Sequence, residues 1–596
     1  MTRKRVATTH RAWLFIFLTQ ATLVALAFVR LYLVRQSVQG ADECFSCQAS
    51  TLIQHESGLW VLVWLLLTLA STQIRAIRIL FISVLWFLVL ILLADIFTLQ
   101  QFGLRLYLAD VLKFGQQPQF FVGYMHELLG WLWIPLLLTA LIALPWCTSV
   151  LTRKLLVSWQ ARTGLLLMAC LSLLLYSLPD RTAHPLPWTY LNLLEANWPG
   201  GVDREFSPQY LEELINHPPP TLTEEICTPG QNIGGDVIIV AIESLSAYHS
   251  ELLLPGPMNA VPLLDAAARE NSWWDRFYAN GFTTDHGLIA LLTGQLPVPA
   301  VNRYSSMQVF EGYEGDATSL PNRLAEDGYF SAFLTSGDLD FLGKGDWLET
   351  LGFDHIEGSE QSDYSGAERF GFGAVSDDLL FQRTIKWLKN ERPGSRPVAA
   401  FVETVTTHPP FIEPVSGQAD EAEAFRFTDR ALAEFVADLE DLDYFRNGLL
   451  VITSDQRSLT PISPEETAAF GAAAGARLPL VVMGGQHSLT GVQSTPAQMT
   501  DLPYSLDHYL TGQACHRPGQ GNLFAGQAPD CIYQADGNQR NVIHAFCGMN
   551  SAKIKMDGDD TRVIEGVLPD AQRRIRELNY LRAQLGVKET NLRMLL

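Results

Sequence analysis

Two apolar runs far apart in the chain each lead into a carboxylate. VIIVAI runs into Glu243, and LLVITS runs into Asp455. Between them in sequence lies Gly281-Phe282-Thr283-Thr284-Asp285, a hydroxyl-rich loop that opens an apolar helical stretch. Two acids can hold a hard cation, and a cation lowers the pKa of a hydroxyl that is otherwise a weak nucleophile. Carboxylate, hydroxyl and carboxylate therefore outline a metal-activated nucleophile. The same T-T-D pattern also reads as a helix N-cap, and the two roles are compatible because a nucleophile at a helix N-terminus gains from the dipole. Thr283 and Thr284 compete for the part.

The elements that must position these groups are strands. Residues 237–242 and 448–452 are rich in Val, Ile and Leu without clean alternation, as expected of strands buried on both faces of a parallel sheet. Ligands bind beyond the carboxyl ends of such strands. From residue 234 onward the pattern predicts strands at 236–242, 329–334, 398–405, 448–453 and 478–483. It predicts helices near 260–270, 284–292, 426–442, 500–511 and 569–585. This β–α alternation is that of an α/β sandwich with a mostly parallel sheet.

The rest of the 596 residues differ in kind. Apolar residues make up 48% of the chain, and the excess lies before residue 180 in runs at 13–33, 58–72, 79–99, 128–147 and 163–178. Five nearly charge-free runs predict a bundle of five membrane-spanning helices. Arg3, Lys4, Arg5, Arg11, Arg75, Arg78, Arg153, Lys154 and Arg162 fall on one side, which places the N-terminus in the cytoplasm and everything after residue 180 outside. The first run is long and no A-x-A-like site follows it, so it is expected to remain as a span. Residues 181–232 read as a linker carrying an amphipathic helix, SPQYLEELINHPPP, expected near the bilayer surface. Residues 233–596 read as the catalytic domain. Cys227, Cys515, Cys531 and Cys547 fall outside in even number and suggest disulfides; Cys515–Cys531 with Cys227–Cys547 is one of three pairings. Cys44 and Cys47 suggest a small structural disulfide. The net charge of −21 argues against nucleic acid.

Ordered motifs over more than 300 residues carry a resemblance: IESLS at 242–246, GFTTD at 281–285, LLTGQLP at 291–297, TTHPPF at 406–411 and ITSDQ at 452–456, then DLPYSLDHYLTG with GNLF. With five preceding spans, the chain resembles the lipoteichoic acid synthase family of membrane-anchored phosphotransferases, in the alkaline phosphatase and sulfatase superfamily. The resemblance implies metal ligands at Glu243, Thr283 and Asp455, with Gln456 beside them, and Thr283 as nucleophile. It implies that His408 contacts the transferring phosphate or protonates the leaving oxygen. His249, His286 and His487 match no motif position and read as ordinary surface or structural residues.

The chain also departs from the family pattern. Gln456 replaces the usual histidine, which favours Mn²⁺ or Mg²⁺, with Ca²⁺ or Zn²⁺ as alternatives. The family's phosphate-binding histidine, tryptophan and arginine fall on Thr335, Leu342 and Lys344; Lys344 can still neutralise a phosphate as a point charge. The implied function is transfer of a phospholipid head group, phosphoglycerol or phosphoethanolamine, to an envelope glycan or lipid through a phosphothreonine. The implied place is the bacterial inner membrane with a periplasmic catalytic domain. The competing expectations are a catalytically weakened binding or assembly protein of envelope polysaccharide synthesis, and a sulfatase or phosphodiesterase hydrolase.

Overall fold

The computed structural model describes the chain apart from residues 1, 38–44, 73, 119–121, 123–125, 127–129, 157–158, 179–190, 198–204, 225, 230–233, 257, 300–308, 315–318, 395, 488 and 596. Cys44 and parts of the 181–232 linker lie outside the described residues. The chain divides into two compact units. One comprises Met1–Asp110, Leu128–Gly201 and Thr460–Pro464; the other comprises Val111–Glu127, Val202–Leu459 and Glu465–Leu596.

The first unit holds five helices long and apolar enough to cross a membrane: Arg11–Leu33, Gln48–Ala70, Arg75–Gln100, Gly130–Val150 and Trp159–Tyr176. They pack around Trp60, Trp64 and Leu165, while most of their apolar surface faces outward, as a bundle with lipid for solvent does. Two buried ion pairs stand inside the unit, Arg30 with Glu56 and Arg105 with Asp95. Arg105 grips both oxygens of Asp95 at 2.9 and 3.0 Å.

The second unit is built on an eight-stranded sheet. Its strands are β1 (Val237–Ile242), β2 (Ser272–Trp274), β3 (Phe330–Thr335), β4 (His355–Glu357), β5 (Val398–Glu403), β6 (Leu449–Ser454), β7 (Val481–Gly484) and β8 (Gly491–Gln493). The spatial order is β8-β2-β7-β6-β1-β5-β3-β4. From β6 to β4 every pairing is parallel; β7 runs antiparallel to β6 and β2. Every residue of β1, β5 and β6 is buried, because successive side chains point to opposite faces and both faces are covered. On one face lie the helices α1 (Pro262–Glu270), α2 (Asp377–Asn390) and α3 (Glu421–Asp441), packed on Ile238, Val240 and Ile242. On the other, Val237, Ile239 and Ala241 meet α4 (Thr284–Thr293) and α5 (Leu502–Thr511).

Three features differ from the sequence-based expectations. The helix Pro208–Asn216, expected at the bilayer surface, has a protein partner that was not foreseen, the C-terminal helix Ala571–Leu595. Leu214 is fully buried, Tyr210 Oη meets Asn579 Nδ2 (3.1 Å) and Arg576 pairs with Glu213 (2.8 Å). A four-stranded antiparallel sheet over 532–566 was not foreseen. It fixes the third correction: Ile532 stands opposite Phe546, so the flanking Cys531 and Cys547 face each other and form a disulfide. The pairing Cys515–Cys531 with Cys227–Cys547 is therefore wrong. Cys227 is disulfide-bonded, and its register partner across an antiparallel pair is Cys515.

Candidate active site

Parallel register brings three strand ends to one edge. Ala241 of β1 aligns with Glu403 of β5, and Ile242 with Ser454 of β6. Glu243, Glu403 and Asp455 thus leave three adjacent strands side by side, each at most 5% exposed. The strand ends are laced together by hydroxyls. Glu243 N donates to Thr404 Oγ1 (3.0 Å), Thr407 Oγ1 donates to Glu243 O (2.6 Å) and Ser454 Oγ donates to Ile242 O (2.9 Å). Ser244 serves both acids: its N–H donates to Asp455 Oδ1 (2.8 Å) and its hydroxyl to Glu243 Oε1 (2.7 Å).

The helix α4 delivers the hydroxyl, and the one it delivers is Thr284. Thr284 is the first helical residue, and its Oγ1 donates to Glu243 Oε2 at 3.2 Å. Thr283, expected to be the nucleophile and a metal ligand, is the N-cap, with extended backbone angles and a side chain bonded to Asp285. Of the two hydroxyls, that of Thr284 is the one hydrogen-bonded to a strand-end acid. The approach is close. A Cβ on Gly287 would stand 1.8 Å from the Asp455 carbonyl oxygen, so only glycine lets this turn of α4 touch the end of β6.

Burial raises the Glu243 carboxyl above its ordinary range. Burial and then the Glu243 charge push Asp455 well above it. Two acids left together in a low dielectric favour a shared proton; a divalent ion inverts that preference. Gln456 Nε2 donates to Glu243 Oε1 (3.2 Å), while Gln456 Oε1 and Asp455 Oδ2 are buried without a hydrogen-bond partner. A half-turn of the Gln456 amide exchanges its two ends. Among the described residues no group of three or more His, Cys, Asp or Glu is arranged to hold a metal. The donor set here is instead two carboxylates, a hydroxyl and an amide, all hard oxygen donors suited to Mg²⁺, Mn²⁺ or Ca²⁺.

A cavity of about 80 Å³ opens onto Thr284 and Glu243. His408, Lys344, Glu403, Asp285, Asp338 and Thr404 supply its other polar lining, and its apolar walls include Phe310, Phe341, Leu342 and Phe372. A larger cavity of about 170 Å³ lies at the far end of α4, against Thr293 and Gly294, and touches none of these acids. His408 sits edge-on to Phe372 (4.7 Å) with Nδ1 2.6 Å from Pro409 O. Burial lowers its pKa, so it is neutral near pH 7 with Nδ1–H on the carbonyl and Nε2 free to accept a proton. Lys344 Nζ donates to Glu403 Oε2 (2.6 Å). Thr335 does not line the cavity; its hydroxyl donates to Glu403 O (2.9 Å). His249 is buried structure, taking Ser246 N–H on Nδ1 and facing Glu421 on Nε2.

The sulfatase family matches residues 235–511 of the chain, the stretch that contains every group just described. Residues 235–511 are thus a sulfatase-family domain. Phosphoglycerol transferase I of Xanthomonas euvesicatoria pv. vesicatoria (strain 85-10) is 25% identical over 263 residues, covering 40% of this chain and 36% of the relative. Phosphoglycerol transferase I of Citrobacter koseri is 25% identical over 201 residues, 30% of this chain and 25% of the relative. The chain thus spans about a third or less of the length of the curated relatives it matches. A crystal structure of an alkaline phosphatase superfamily protein from Vibrio parahaemolyticus superposes with a TM-score of 0.50 at 18% identity, covering 67% of this chain and 95% of that one. The superfamily usually works with a divalent metal, and the Glu243, Thr284, Asp455 and Gln456 oxygens fit one.

Sequence reasoning missed Glu403, although the apolar run of 398–402 ending in a carboxylate is the same signal that singled out Glu243 and Asp455.

Proposed function

We propose that the chain is a membrane-anchored phosphoglycerol transferase-type enzyme that passes the head group of a phospholipid to an envelope glycan or lipid acceptor through a phosphothreonine at Thr284. The observation that carries this reading is the Thr284 hydroxyl bonded to Glu243 at the mouth of a cavity, in a chain similar to phosphoglycerol transferases. In the first half-reaction the Thr284 Oγ1–P bond forms as the bond from phosphorus to the diacylglycerol oxygen breaks. The Thr284 proton passes to Glu243, and the departing oxygen takes one from water. In the second, an acceptor hydroxyl attacks phosphorus and gives its proton to His408 Nε2 as the Thr284 Oγ1–P bond breaks; the Thr284 oxygen takes back the proton held by Glu243, and the His408 proton neutralises the hydroxide left when water protonated the departing oxygen. This makes His408 a base for the acceptor, a different role from the phosphate contact or protonation of the leaving oxygen that the resemblance implied. Glu243, Asp455, Thr284 and Gln456 would hold a divalent cation, Mn²⁺ or Mg²⁺ by donor type, which lowers the pKa of the hydroxyl and neutralises phosphate charge. Lys344, balanced by Glu403, faces the phosphate as a point charge.

The bilayer supplies both anchor and donor: tethering replaces bulk encounter with a high local concentration. A periplasmic placement of the domain on the inner membrane accords with the distribution of basic residues, and phosphoglycerol is favoured over phosphoethanolamine by the relatives. The test is paired. Incubating the full chain with head-group-labelled phosphatidylglycerol should give a covalent adduct that Thr284→Ala abolishes and Thr283→Ala retains. Loss with Thr283→Ala alone would restore Thr283 as nucleophile, and retention in both would reject the mechanism.

A further inference from the structure

Residues 111–117 lie in sequence between the third and fourth membrane-length helices, yet they belong to the same compact unit as the active site. The Phe114 ring stacks on Phe341 at 6.4 Å and 9°, and Gln117 Nε2 donates to Asp340 O (3.1 Å). Phe341 lines the catalytic cavity and meets Phe372 at 4.7 Å, and Phe372 meets His408. An unbroken run of rings thus leads from Phe114 to the histidine beside Thr284. The outer side of the segment is apolar and open: Val111, Leu112 and Phe114 are 52%, 59% and 41% exposed. Leaving such side chains in water forgoes their burial energy, on the order of 1.5–3 kcal/mol each when complete. Lys113 carries its ammonium 5.6 Å over the Phe114 ring and is one of the charges acting on Asp285 in the cavity.

Apolar side chains flanking one cation, beside a cavity ready for a phosphoryl group, match the order of parts in a phospholipid: acyl chains, glycerol, phosphate. We propose that residues 111–117 are the donor-facing wall of the site, where Val111, Leu112 and Phe114 receive the acylglycerol end of a diacyl phospholipid and Lys113 attracts its phosphate. This rests on the phospholipid-donor reading above and extends it by naming the segment that recognises the lipid. Lys113 and Phe114 are positioning residues; neither takes part in bond making. Covalent continuity with the third span, which ends at Gln100, keeps the segment where lipid is available.

The test uses the full chain carrying Thr284→Ala, in vesicles of phosphatidylglycerol and phosphatidylethanolamine, with a photoreactive benzoylphenylalanine in place of Leu112 and, as control, of the fully exposed Met549. Irradiation should give a phospholipid adduct at position 112 at least roughly tenfold above that at 549, the ratio expected for one preferential contact of about 1.4 kcal/mol. Equal yields overturn the proposal. In the unlabelled enzyme, Lys113→Ala should raise KM for the bilayer donor roughly tenfold while kcat stays within about twofold; an unchanged KM overturns the role of Lys113. Turnover surviving Thr284→Ala would instead sink the nucleophile assignment, and the lipid adduct would still report on the wall.

Discussion

Glu243 and Asp455 are buried acids at the ends of adjacent strands, and their closeness is costly unless something positive or a proton sits between them. Burial already raises both carboxyls, and Asp455 Oδ2 lacks a hydrogen-bond partner. An ion bound by such a pair stabilises the fold by mass action, about 2.7 kcal/mol at a hundredfold excess over Kd. Chelation of the full chain should therefore lower its unfolding temperature and abolish transfer, and Mn²⁺ or Mg²⁺ should restore both. Asp455→Asn should blunt the thermal shift. A wild-type chain whose unfolding temperature ignores every divalent ion would show that this donor set holds none. The motif register favoured Thr283, whereas the hydroxyl hydrogen-bonded to Glu243 belongs to Thr284. Both were visible as hydroxyls at a helix start, but which one faces the acids depends on where the α4 N-terminus docks, and no local signal encodes that. Glu403 was legible by the same strand-end rule as its neighbours and was passed over because no motif named it.

At the scale of elements, the site depends on a helix and a strand end touching. α4 reaches β6 only because Gly287 has no side chain: its Cβ would lie 1.8 Å from Asp455 O. Gly287→Ala must push the helix or the strand end away, at a cost of about 1–3 kcal/mol for an overpacked contact, and should take the Thr284 hydroxyl out of reach of Glu243. Differential scanning of the full chain and a transfer assay on the same preparation check this, with both readouts expected to fall. A variant with wild-type turnover would show that the contact is dispensable. The parallel strands were legible because burial on both faces writes itself as unbroken Val, Ile and Leu. The antiparallel sheet over 532–566 was not: its strands are short and partly exposed, and their pairing hangs on turns such as Gly548-Met549 at the hairpin tip.

For the whole molecule, acid stability gives a separate handle on the sulfatase-family domain. Burial raises the Glu357 carboxyl, but hydrogen bonds from His355 and Arg383 outweigh it and hold it down at about 2. A carboxyl held below its unfolded value adds stability that is present above about pH 4.5 and is lost as pH falls towards 2, here at most about 3 kcal/mol. Glu357→Gln should flatten that acid limb. Equilibrium unfolding from about pH 6 to pH 2 should show the wild-type chain losing more stability than the variant; parallel curves would rule the pair out as a source of pH dependence. Five membrane-length helices and a sulfatase-family domain lie in one chain.

The sequence by itself determined the membrane-length helices, the buried strands and the acids that end them, because hydrophobic length and periodicity are local properties of the chain. Only the tertiary structure decided that Thr284 meets Glu243, that Cys531 bonds Cys547, that Pro208–Asn216 lies on the C-terminal helix, and that residues 111–117 border the site. Each of those depends on register or docking between segments distant in sequence, where a shift of one residue turns a side chain to another face.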